Sequence, residues 1–187
     1  MSIDTVWVHS LKSHNEIKSN ILDIIDRYEQ RGECPDPVTK TDFYDETLQT
    51  NFPDYFQVLS QKAEPLWKEL CNKYWTSDFG IMGVWFQQYY NNDFHGWHMH
   101  GNSSISMSYL LELDDRKYST EFIDIERNTT FQLDVEEGDV IIFPSYTIHR
   151  SPLIRGDSRK TTIAINLNLG DADMTKINPI DPIFNYE

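Results

Sequence analysis

The sequence predicts a mainly β fold with flanking helices, an antiparallel sandwich or barrel whose helices come first in the chain. Three observations predict it. Six short segments rich in β-branched and aromatic residues follow Gly80: MGVWFQQYY, GNSSISMSYLLEL, STEFIDI, TTFQLDV, GDVIIFP and KTTIAINLNL. Asn, Asp, Gly and Glu turns separate them. No helical periodicity interrupts this stretch, which excludes alternating strand and helix units. The region before it carries helical apolar spacing instead.

The first helix is expected from Asn15 to Glu33, where Ile17, Ile21, Leu22, Ile24 and Ile25 recur at helical spacing and Gly32, Pro35 and Pro37 stop it. A second helical pattern runs from Asp54 to Trp75 through Phe56, Leu59, Leu66, Leu70 and Tyr74, and Pro65 kinks or divides it. The polar stretch from Thr39 to Asn51 reads as a loop. The chain is expected to be one domain: helical support over residues 1–79, a β core over 80–170 and a tail over 171–187.

Composition narrows the function. With 187 residues, 39% hydrophobic and 13% aromatic, the chain can bury a real core. Sixteen Lys and Arg against thirty Asp and Glu give a net charge of -14, which repels nucleic acid and anionic membranes. Cys34 and Cys71 are far apart, and the start MSIDTVWVHS lacks the basic and apolar parts of a secretion signal. A cytoplasmic protein with reduced thiols is expected, and no run approaches the ~20 apolar residues of a membrane span.

Chemistry concentrates at HGWHMH, residues 95–100. His98 and His100 are two apart just before a strand, so extended backbone would send both side chains to one face and His95 to the other. Two imidazoles are two legs of a metal site that needs a third. EGDVIIFPSYTIHRSPL supplies it: Glu137 and Gly138 turn, VIIF is a buried strand, Pro144 ends it, and His149 opens the next extended stretch. This is the chain order in which double-stranded β-helix metalloenzymes assemble their ligands. A surface HxH pair would be the bland account, but the accompanying GDVIIFPSYTIH argues against it.

From Val84 to Leu169 the chain resembles the iron(II) and 2-oxoglutarate dependent oxygenases, in particular their small prolyl-hydroxylase-like group. The resemblance is carried by WFQQYYNNDFHGWHMHGNSSISMSYLLEL, GDVIIFPSYTIHRSP and RKTTIAINL, in that order. It implies a double-stranded β-helix of jelly-roll or cupin-like form, with the amino-terminal helices packed on one sheet. It also implies Fe(II) held by His98, His100 and His149, leaving positions for 2-oxoglutarate and O2. His100 stands where a carboxylate is commoner, so three neutral imidazoles leave the site one negative charge short.

The resemblance further implies a cation for the distal carboxylate of 2-oxoglutarate. Alternation in RKTTIAINL puts Ile163, Ile165 and Leu167 on one face and Lys160, Thr162, Ala164 and Asn166 on the other. If the aliphatic face packs under the helices, Lys160 and Thr162 point at the co-substrate. Arg159 is the other candidate, since an arginine is commoner there and a β-bulge would exchange the two. Gln88 and Tyr90 share a strand face, and Tyr90 is a candidate for contact with co-substrate or substrate. Tyr109 should lie opposite His98 and His100.

The expected activity is oxygen-dependent hydroxylation of an unactivated C–H bond, of peptidyl proline, another residue or a small molecule, coupled to decarboxylation of 2-oxoglutarate. Two other classes compete. A cupin-like metalloprotein usually places glutamate shortly after the HxH pair, where Ser104 and Ile105 stand here. A non-catalytic metal-binding β-helix module would account for the absent carboxylate, and zinc would accept three histidines.

Overall fold

The computed structural model describes residues 5–30, 34–35, 37–45, 51–171 and 173. In chain order its elements are β1 (Trp7–Ser10), α1 (His14–Arg27), β2 (Lys40–Thr41), α2 (Asp54–Ser60), α3 (Glu64–Lys73), β3 (Phe79–Tyr89), β4 (His95–His98), β5 (Ile105–Leu113), a 3-10 turn (Arg116–Tyr118), β6 (Glu121–Asp124), β7 (Thr129–Gln132), β8 (Asp139–Pro144), β9 (His149–Ser151) and β10 (Lys160–Leu169). The fold is mainly β, with two antiparallel sheets. One has six strands in the order β1-β8-β5-β10-β3-β2, the other four in the order β4-β9-β6-β7.

Local chemistry explains the helices. Ile17, Ile21 and Ile25 recur every fourth residue and are the buried face of α1. The helix ends at Arg27, where Tyr28 turns to extended backbone and its N–H donates to Ile25 O. Residues 31–33, to which the sequence pattern extends it, lie outside the described residues. Pro65 divides the second pattern rather than kinking it, because it occupies the first turn of α3, where its missing N–H costs nothing.

Central strand β10 pairs with β3 on one side and β5 on the other. Ile163 lies opposite Phe86 and Tyr109. Ile163, Ile165 and Leu167 belong to one buried cluster with Ile17, Ile21, Ile25, Phe56, Leu66 and Leu70 of the helices. The other face of β10 is therefore free to line a site.

The stretch read as a loop between Thr39 and Asn51 holds more structure than its polarity suggests. Lys40 and Thr41 pair with Gln88 and Gln87 as an edge strand. Thr41 Oγ1 donates to Phe86 O at 2.6 Å, and Asp42 accepts from Phe86 N at 2.8 Å and Tyr55 O–H at 2.6 Å. Burial pushes the Asp42 carboxyl up to about 6. These polar side chains are spent on satisfying backbone and tyrosine groups, which composition alone does not reveal.

Gly138, in the turn before β8, has φ +93, and a Cβ there would fall 2.8 Å from the His14 ring. His14 Nδ1 in turn hydrogen-bonds Tyr109 O–H at 2.8 Å, tying α1 to β5. Tyr109 thus lies away from His98 and His100, as strand parity predicts.

Truncating the shared core should be costly. Ile165→Ala is expected to lower unfolding free energy by about 2–5 kcal/mol in a urea titration, with the slope of the transition unchanged.

Candidate active site

A cavity of about 740 Å³ is lined by residues of both sheets, among them His98, His100, His149, Gln87, Tyr89 and Lys160. That volume is within the usual range for small-molecule sites.

Strand pairing assembles the histidines. His98, the last residue of β4, lies directly across from His149, the first of β9. His100 follows two residues beyond the end of β4, where its backbone N–H donates to Ser145 O at 2.8 Å. Ring centroids are 4.2 Å apart for His98 and His149, 5.3 Å for His98 and His100, and 5.0 Å for His100 and His149. One ring nitrogen from each lies within 4.8 Å of the others. The convergence comes from a chain leaving one sheet, not from two positions on one continuous strand.

The hydrogen bonds set the ring protons. His98 Nδ1 is 2.8 Å from Gly96 O and His149 Nδ1 is 2.8 Å from Thr147 O. A carbonyl only accepts, so each Nδ1 carries the hydrogen and each Nε2 keeps its lone pair. His100 Nδ1 lies 2.8 Å from Asn166 Oδ1. Desolvation holds His149 well below the usual imidazole range, with His98 adding to the effect, and it lowers His100 too. Neutral rings with convergent lone pairs suit a divalent transition metal.

His95 departs from expectation. It does not point away: its ring stacks on His98 with centroids 4.1 Å apart, and it lines the cavity. The register shift between His95 and His98 turns it inward. Its Nδ1, however, is 3.2 Å from Gln87 Nε2, an amide donor. That nitrogen accepts, so the proton sits on Nε2, the reverse of the other three rings.

Lys160 is almost completely buried, at 2% exposure. Its Nζ donates to Ser151 Oγ at 2.8 Å and lies 5.3 Å from the Tyr89 ring centroid. No carboxylate among the described residues pairs with it, and desolvation lowers its pKa to about 7. Thr162, on the same face of β10, also lines the cavity. A buried ammonium without a counter-ion is costly, and an anion entering the cavity would offset that cost.

The other two co-substrate candidates lie elsewhere. Arg159 is spent on Glu112, to whose Oε1 its guanidinium donates, and its backbone N–H bonds Asp114 Oδ2 at 2.7 Å. No bulge exchanges it with Lys160: the shift in the β5 pairing falls between Thr161 and Thr162, beyond both. Tyr90 is exposed, is not among the cavity-lining residues, and hydrogen-bonds Arg159. Gln87 and Tyr89 take the place expected of Gln88 and Tyr90. Because Ile163 lies opposite Phe86 and faces the helices, Phe86 and Gln88 face them too, and Gln88 Nε2 reaches Asp26 of α1 at 3.4 Å. Phe86 was the signal that could have fixed this parity, since a phenylalanine two residues from Gln88 marks the core face.

Solved structures share the fold. A viral collagen prolyl hydroxylase from Paramecium Bursaria Chlorella virus-1, in its 2-oxoglutarate complex, is 13% identical, covers 87% of this chain and 95% of its own, and has a TM-score of 0.59. An oxidoreductase of the 2OG-Fe(II) oxygenase family from Burkholderia pseudomallei is 12% identical, with coverages of 88% and 84% and a TM-score of 0.62. HygX from Streptomyces hygroscopicus, with nickel, 2-oxoglutarate and hygromycin B bound, is 10% identical, with coverages of 87% and 82% and a TM-score of 0.63. No family model matches the sequence, and no curated protein matches it.

The isolated ammonium makes a stability prediction for the metal-free protein. Between pH about 7 and 10.5 the folded Lys160 has lost its proton while the unfolded one keeps it, so the unfolded state binds more protons and stability rises with pH. Below that window both states are protonated and the folded state carries the burial cost. Lys160→Met should therefore melt above the wild type at pH 7, with a lead that shrinks by pH 9. An equal lead at both values would contradict the assignment.

Proposed function

We propose that this protein is an iron(II)- and 2-oxoglutarate-dependent dioxygenase that hydroxylates an unactivated C–H bond, and that its two sheets are those of a double-stranded β-helix with the amino-terminal helices on one face. One observation carries the proposal: three imidazoles with convergent lone pairs and one buried, unpaired ammonium open into the same cavity. A site that only held a metal would have no use for the ammonium, whose burial costs stability and gains nothing without an anion. The fold shared with oxygenases of this type supports the same reading.

His98, His100 and His149 would hold the metal through Nε2, and the metal with 2-oxoglutarate supplies the dioxygen activation that the side chains lack. Lys160 receives the distal carboxylate of the keto acid, with Thr162 beside it on β10. Gln87 and Tyr89 form the adjoining wall and, through their own hydrogen bond of 2.8 Å, keep their polar atoms ordered. The apolar side chains of Met107 and Phe143 line the cavity and exclude water from its inner part. Substrate enters past Phe43, Phe52 and Trp85.

The deciding experiment is anaerobic titration of metal-free protein with iron(II) and 2-oxoglutarate, followed by oxygen. The expected result is a weak visible charge-transfer band and formation of succinate; metal binding with neither would refute the proposal. His98→Ala or His149→Ala should abolish the band, while His95→Ala, whose Nε2 is protonated, should weaken iron binding by less than about tenfold.

Lys160→Met should raise the 2-oxoglutarate concentration needed for half-saturation by about 100-fold or more while leaving iron bound. In the wild type, binding the carboxylate requires protonated Lys160. Affinity for 2-oxoglutarate, followed by calorimetry, should fall by about tenfold per pH unit above roughly 7.

A further inference from the structure

We propose that Asn166, backed by Ser106, is the positioning residue that keeps the hydrogen of His100 on Nδ1 and so makes Nε2 its metal-binding atom, in a cluster of histidines that no carboxylate joins among the described residues. The proposal deepens the metal centre described above and is independent of 2-oxoglutarate.

Strand register builds the pair. Asn166 of β10 lies directly across from Ser106 of β5 on one side and from Gly83 of β3 on the other, where the absent side chain leaves room. His100 Nδ1, Ser106 Oγ and Asn166 Oδ1 form a close triangle: 2.8 Å from Nδ1 to each oxygen and 2.7 Å between the oxygens. Behind it, Ser106 Oγ is 2.9 Å from Ser145 Oγ, which is 2.7 Å from Ser103 Oγ.

With Asn166 Oδ1 facing the ring, counting donors leaves one consistent arrangement. An amide oxygen has no hydrogen to give, so Ser106 must spend its only one on Asn166 Oδ1. Ser106 then accepts from Ser145, and Ser145 accepts from Ser103. Every hydroxyl hydrogen in the row is directed toward Asn166 Oδ1, which also accepts Nδ1–H of His100. His98 and His149 achieve the same ring state with backbone carbonyls two residues earlier, whereas His100 depends on side chains. Its orientation is therefore sensitive to substitution in a way theirs is not, and an amide oxygen gives the ring less basicity than a carboxylate would.

The test uses metal-free protein, cobalt(II) as the probe, and two substitutions of similar size. Asn166→Leu removes the acceptor; Asn166→Asp keeps it and adds a charge. Cobalt affinity, measured by calorimetry, should fall about 10- to 100-fold in Asn166→Leu and rise by about tenfold in Asn166→Asp. Nitrogen-15 NMR of the histidines should show His100 protonated on Nδ1 in wild type and Asn166→Asp, and a mixture of tautomers in Asn166→Leu. A purely structural role for Asn166 would move neither the tautomer nor the opposite signs of the two affinity changes.

Should Asn166→Leu fail to fold, Ser106→Ala and Asn166→Asp decide the matter, the first with a weaker effect of the same direction as Asn166→Leu. Unchanged affinity and tautomer in the variants that fold, or a wild-type His100 protonated on Nε2, would overturn the proposal. A wild type that binds cobalt but forms no succinate after iron and 2-oxoglutarate would defeat the oxygenase function alone, and the NMR result on metal-free protein would still decide the role of Asn166.

Discussion

Alternation along β10 is the constraint on which both halves of the molecule depend. A strand has only two faces, and successive side chains must take opposite ones. On this strand Ile163, Ile165 and Leu167 join the core that holds the helices, while Lys160, Thr162 and Asn166 line the cavity. A slip of one residue would put the ammonium into the aliphatic cluster and the isoleucines over the histidines. Pairing on both sides, with β3 and β5, prevents such a slip. The same hydrogen bonds that stabilise the sheet thus place Lys160, Thr162 and Asn166 in the cavity.

Electrostatically the site is unusual for so acidic a chain. In a protein of net charge -14 no carboxylate among the described residues joins the three histidines that converge, and a lysine is buried nearby. Neutral imidazoles donate electron density without cancelling the charge of a divalent ion. A dianionic keto acid bound beside Lys160 would offset two of the three positive charges carried by a divalent ion and the ammonium, so metal and co-substrate should each favour binding of the other. With both ligands bound such a site would still carry one positive charge in excess, the share that a ligand carboxylate in place of His100 would cancel.

How much of this was legible in the sequence depended on whether a signal was periodic or merely local. The six segments after Gly80 correspond to β3, β5, β6, β7, β8 and β10, because short runs rich in β-branched and aromatic residues and bounded by turn residues are hard to mistake. β1 and β2 were missed, being short edge strands with no alternation long enough to register. The face of β10 was read from the branched residues on it. The face of β3 was not, since Gln87, Gln88, Tyr89 and Tyr90 alternate in nothing but position. His95 was misplaced for a different reason: counting positions assumes regular pleating, and the strand is irregular between His95 and His98. Sequence spacing pointed to the histidines that meet, but not to the register of β4 and β9 that brings His98 opposite His149.

The same contrast separates chemistry from selectivity. The three convergent histidines and Lys160 sit on or just beside paired strands, where backbone hydrogen bonds fix their placement. The cavity's outer wall is built largely from Phe43, Tyr44, Asp45 and Phe52, in the stretch whose sequence carried no periodic signal, together with Met82 and Trp85. Phe43 packs on both Tyr44 and Trp85, at 5.0 Å between centroids in each case, so the wall is aromatic and anchored to β3. Side chains on connecting segments can be exchanged without disturbing strand register, which is why one fold serves both a collagen prolyl hydroxylase and a protein that binds hygromycin B. Selectivity for whatever enters this cavity would therefore rest on Phe43, Tyr44, Asp45 and Phe52 with Met82 and Trp85 of β3, and a sequence motif confined to the paired strands has no means of encoding it.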